Sequence, residues 1–194
     1  MAADNKPRIF QDGRDMLINV VVIVVSMLLV VGFTGLCSFD PGAPEQGPVQ
    51  KVDAESFLKL EARAVNFPVR YPVMPEGWTT NSARRSMIHG APAPVVGWVT
   101  PAESYIQLTQ TGASLDEAVT QADQHPRSLA RTEDVAGTPA QVYTSDDAEV
   151  RDVWAVDAGE SRLLLTGAGD AEEFKLVIST ALATAPLPGA EAAS

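Results

Sequence analysis

The chain has 194 residues, 45% hydrophobic and 20% charged, with 14 Lys/Arg against 25 Asp/Glu and a formal net charge of −11. That length allows one ordinary domain plus a short extra segment. The acid excess argues against sequence-independent nucleic-acid binding, which needs Lys and Arg at phosphates. A single cysteine excludes an intramolecular disulfide framework and a cysteine-rich zinc site.

Met16 to Leu36 is an uncharged run, apolar except for Asn19, Ser26, Gly32, Thr34 and Gly35. As a helix it would extend about 31 Å, the thickness of a bilayer's hydrocarbon core. An all-round apolar helix has no solvated face, and the run is too long and uniform for a buried core helix. It is therefore expected to span a membrane. No Ala-x-Ala cleavage site follows it, so the segment is expected to be retained. Leu36 before Cys37 disfavours lipidation of that cysteine, because a lipoprotein signal places a small residue there. Lys6, Arg8 and Arg14 precede the run, and no Lys or Arg follows it until Lys51. Positive flanks stay inside, so the N-terminus is expected to be cytoplasmic and the rest extracytoplasmic. The expected layout is a cytoplasmic tail over 1–15, a transmembrane helix over 16–36 and a Pro/Gly-rich linker over 37–51. An extracytoplasmic domain over 52–185 and a disordered tail over 186–194 complete it.

Within the domain, Asp53 is placed to cap a helix running to about Asn66, with Phe57, Leu58, Leu60, Ala64 and Val65 as an apolar stripe. Phe67 to Val73 alternates but holds Pro68 and Pro72, so it reads as an extended edge segment. Pro75-Glu76-Gly77 reads as a turn and Trp78–Met87 as a strand. Val95–Thr100 and Tyr105–Thr109 form a hairpin around Pro101–Ser104. Ser114 and Glu117 make a capping box that opens a helix to about Gln124. Strands are expected over Gln141–Thr144, Val150–Val156 and Ser161–Thr166, the last two joined at Ala158-Gly159-Glu160. Asp170 caps a final helix whose Phe174, Val177, Ile178 and Leu182 form one stripe. Hairpins with helices between them give an α+β class with a mainly antiparallel sheet and flanking helices.

Three stretches also carry a resemblance. Pro75-Glu76-Gly77-Trp78 with Thr80-Asn81-Ser82-Ala83-Arg84 is the first. Gly97-Trp98-Val99-Thr100-Pro101 followed by Tyr105-Ile106-Gln107-Leu108-Thr109-Gln110 is the second, and Leu165-Thr166-Gly167-Ala168-Gly169-Asp170 the third. With them the chain resembles the actinobacterial single-pass membrane proteins called domain of unknown function 4245 (DUF4245). The stretch Gly137–Tyr143 departs from that pattern, lacking a Trp shortly before Tyr143. The resemblance implies a location and a domain, with no activity and no catalytic residues.

No catalytic, cofactor-binding or metal-ligating set is expected. His89 and His125 lie in polar turn regions without partners at triad or zinc spacing. Asp146, Asp147, Glu149 and Asp152 lack the alternation and the glycine of a calcium loop. Gly167-Ala168-Gly169-Asp170 lacks a third glycine and the Lys-Ser/Thr pair of a phosphate loop, and reads as a turn and cap. Trp78, Trp98 and Trp154 sit in strand-like contexts and are expected in the core. Arg84 and Arg85 face opposite ways if the strand is regular. Gly32 and Gly35, three apart, are a weak helix-packing signal. The expectation is a non-enzymatic envelope binding or interaction module, with the lipid bilayer and an envelope protein or ligand as partners. The alternatives are an envelope hydrolase or metal-dependent enzyme whose site assembles only in three dimensions, and an accessory subunit of a membrane complex.

Overall fold

A computed structural model describes residues 13–34 and 51–189, with side chains described over 16–30 and 51–189. The chain divides into two units, Met1–Gln46 and Gly47–Ser194. The first contains helix α1, Gly13–Thr34. Its described side chains, Met16 to Val30, are all exposed, Leu28 and Met27 by two-thirds. The expected membrane-spanning helix is nevertheless not found as such: among the described residues no helix is long and apolar enough to cross a membrane. Cys37, Gly35 and residues 37–50 of the expected linker lie outside the described residues.

The second unit is α+β, as the hairpin pattern implied. Its elements are α2 (Ala54–Ala62), β1 (Thr79–Ile88), β2 (Ala91–Val99), β3 (Tyr105–Thr111), α3 (Leu115–Gln121), β4 (Ser128–Val135), β5 (Thr138–Thr144), β6 (Val153–Asp157), β7 (Arg162–Gly167) and α4 (Ala171–Ala183). The strands form one sheet in the order β1-β2-β3-β7-β6-β5-β4. Every neighbouring pair is antiparallel. Two meanders, β1–β3 and β4–β7, thus meet at the central β3–β7 pair.

Strand alternation sends side chains to both faces of this sheet. On one face Trp98, Ile106, Leu108, Trp154, Leu163 and Leu165 pack under α2 and α4. On the other, Ala93, Val153, Ala155 and Leu164 pack under Ala118 and Val119 of α3. Trp154 stacks on Phe174 of α4, ring centroids 5.5 Å apart and planes 3° from parallel. Because α3 has only seven residues, it covers one end of its face and leaves the rest open.

Several expectations are corrected. Phe67–Val73 forms no strand. Buried Gln110 takes the place of a partner strand, accepting from Arg70 N–H at 2.8 Å and donating to Arg70 C=O at 2.7 Å. β2 begins at Ala91, earlier than expected, despite Pro92 and Pro94. β3 pairs only with Val95–Val99, so no third strand borders those prolines and their missing donors are tolerated. β4 was not anticipated. Its residues are exposed until Glu133, and a register shift at Leu129/Arg131 marks a bulge, so no apolar alternation announces it. Val150–Asp152 stays outside β6 because the Arg151 carbonyl is bound by the Arg127 guanidinium, at 2.8 Å from Nη2. Residues 186–189, expected in the tail, lie against the domain: Leu187 N–H donates to Val69 C=O at 2.8 Å and its side chain packs on the core.

Candidate functional site

The open part of the α3 face carries the polar residues of β3. On β3, Tyr105, Gln107 and Thr109 share that face, while Ile106 and Leu108 point to the core. Two adjoining hollows form there, both lined by Gln107 and Thr166. The smaller, about 60 Å³, runs from Arg84 and Ser86 to Ala122 just beyond α3. The larger, about 360 Å³, is bounded by Tyr105, Arg151 and Gly167-Ala168.

Backbone and glycine geometry prepare this surface. Gly97 leaves room for the Tyr105 ring, since a Cβ there would strike the Tyr105 ring and hydroxyl and the Ser82 hydroxyl. Those two hydroxyls are hydrogen-bonded to each other at 2.9 Å. Arg84 donates from Nη2 to Gln107 Oε1 at 2.8 Å, which fixes the guanidinium beside the hollow. Arg151 is held from behind. Arg127, its side chain almost wholly buried, binds both the Arg151 carbonyl and the Asp123 carboxylate. That guanidinium holds Asp123 below the usual carboxylate range. Neither hollow is lined by Asp, Glu, His, Cys or Lys, so no side chain there is an ordinary general base at neutral pH.

The histidines lie elsewhere. His89 and Gly90, both with positive φ, make the tight turn between β1 and β2. The exposed His89 ring has Nδ1 3.0 Å from Gln121 Nε2 and Nε2 3.9 Å from Glu117. Hydrogen bonds from Ser114 hold Glu117 low. His125 is exposed, its backbone N–H donating to Asp123 at 3.2 Å. Asp146–Glu149 forms a local turn in which Asp147 accepts from Glu149 N–H at 3.0 Å. Among the described residues no group of three His, Cys, Asp or Glu could hold a metal ion.

The glycines of Gly167-Ala168-Gly169 serve packing. A Cβ at Gly167 would strike the Tyr105 carbonyl, and one at Gly169 would strike Ile106. The N-terminus of α4 is already occupied by the Asp170–Glu173 capping box. Trp98 and Trp154 are core residues and Trp78 packs against the same core. Trp154 also floors a third hollow of about 320 Å³, with Arg131 5.4 Å over its ring. Arg84 and Arg85 do face opposite ways: Arg85 crosses to the other face and binds Glu61 of α2 at 2.9 and 2.7 Å.

Residues 8–181 match a protein family as a whole. The chain belongs to DUF4245, a family of proteins of unknown function. No curated protein and no solved structure matches the chain. The three stretches that carry the family resemblance, far apart in sequence, converge on the double hollow. Ser82 and Arg84 come from the first, Gly97, Tyr105 and Gln107 from the second, and Thr166 and Gly167 from the third. Sequence reasoning weighed Arg84 and missed Tyr105, Gln107, Arg151 and Thr166 as site residues. The one available signal was the polar side of β3, three polar residues at i, i+2 and i+4.

Proposed function

We propose that this DUF4245 member is a non-enzymatic binding module, anchored in a membrane by its N-terminal helix and presenting the double hollow outside the cell. The observation that carries the binding reading is the hollow itself. It is an open surface rimmed by Arg84, Gln107, Tyr105, Arg151 and Thr166, with no acid or imidazole in its lining. The anchoring reading rests on Met16–Val30, exposed on every side. An apolar surface of that extent marks a membrane or protein contact, and the basic residues precede it.

Thiol labelling tests the anchor and its direction. In a Cys37→Ser background, Ser104→Cys supplies a single thiol in the turn after β2. The expected result is retention in carbonate-washed membranes and labelling of intact cells by a membrane-impermeant maleimide. Release by carbonate, or labelling only after lysis, contradicts the proposal.

A further inference from the structure

We infer that the double hollow takes a small organic anion, gripped through a carboxylate or phosphate oxyanion by Arg84 and Arg151; this rests on the binding reading above. The argument is one of charge left uncompensated. Acids outnumber bases 25 to 14 in this chain. Lys59, Arg85, Arg127, Arg131, Arg162 and Lys175 each meet a carboxylate. Among the described residues Lys51, Arg63, Arg70, Arg84 and Arg151 do not; of these only Arg84 and Arg151 line the two hollows, and neither hollow has a carboxylate in its lining. A shortage of acids does not explain this.

Arg84 is also preorganised through its side chain, and Arg151 is fixed at its backbone. Gln107 accepts from Arg84 with a neutral amide oxygen, which orients the guanidinium and leaves its charge intact. The Arg127 clamp on the Arg151 carbonyl fixes the backbone from which Arg151 reaches the larger hollow. Planar guanidinium forks match carboxylate and phosphate oxygens in pairs. The Thr166 and Tyr105 hydroxyls and the Gln107 amide add neutral hydrogen-bonding groups suited to the rest of a polar ligand.

The test uses the full chain in neutral detergent, with calorimetry and amide NMR. The probes are inorganic phosphate, glucose 6-phosphate, glucuronate and uncharged glucose. The expected result is saturable binding of at least one anionic probe, shifts at Gln107 and Thr166, and about a tenfold or greater loss in Arg84→Gln and in Arg151→Gln. Both variants should melt as the parent does, since neither arginine is ion-paired among the described residues. Glucose 6-phosphate against glucuronate separates a phosphate from a carboxylate source. Anion binding unchanged by both substitutions, or no binding of any anion, overturns the inference. Binding of glucose as tight as its anionic forms, with shifts at Gln107 and Thr166, also overturns it while leaving the hollow as a ligand site.

Discussion

Tyr105 can lie across the sheet only because its neighbour on β2 lacks a side chain. Gly97→Ala is expected to displace the Tyr105 ring and break its hydroxyl bond to Ser82, at about 1–3 kcal/mol for a forced small-to-large change. Chemical denaturation of the variant measures it, and an unchanged midpoint would mean that the ring moves freely. The two adjacent arginines separate function from stability. Arg85→Ala strands the Glu61 carboxylate, whose side chain is only 3% exposed, and should lower the melting temperature clearly. Arg84→Ala should leave the melting temperature where it is. Trp154 fills the core and stacks on Phe174, so Trp154→Ala should cost about 3–5 kcal/mol. The opposite destinations of Arg84 and Arg85 were legible from alternation alone. The pairing of Arg84 with Gln107 was not, because it joins β1 to β3 over the glycine of β2.

Among the elements, those with local signals could be read from the sequence. The Ser114–Glu117 capping box and the Asp170 cap form as expected, the latter closing a second box with Glu173. The α4 stripe of Phe174, Val177 and Ile178 is buried. Asp170→Ala should therefore destabilise the domain by about 1 kcal/mol, read from the denaturation midpoint. β4 escaped because its exposed, charged residues follow no apolar period; backbone pairing to β5 defines it. The Phe67–Val73 segment was misread as an edge strand because its true partner is one side chain, Gln110. The pH dependence also belongs at this scale. Hydrogen bonds from Arg131 and then Lys175 hold Glu133 low; Arg127 does so for Asp123, Ser114 for Glu117 and Ser56 for Asp53. Each carboxyl is more acidic folded than unfolded, so its stabilisation is complete above the ordinary carboxylate range. It is lost as pH falls through the depressed values. The melting temperature should drop steadily below about pH 4, and a flat profile down to about pH 3 would contradict these contacts.

For the molecule as a whole, the sequence made legible the fold class. The hollow was not legible, because it is assembled from β1, β3, β7 and the loop before β6, elements separated by most of the domain. Its place follows from topology. The two meanders meet at β3–β7, and the short α3 covers Ile88, Ala93, Val153, Ala155 and Leu164 and leaves the Tyr105–Gln107 part of that face open. A polar face left open over the middle of a sheet is where a ligand can reach backbone-fixed side chains from several strands at once. The histidine turn and the acidic turn, the sites that composition alone would favour, lie outside it. The measurement that tests this most directly is amide NMR of the full chain titrated with a soluble extract of the cell envelope. The account predicts shifts clustered at Ser82–Arg84, Tyr105–Gln107 and Thr166–Ala168. Shifts centred on His89, His125 or Asp146–Glu149, with those strands silent, would contradict it.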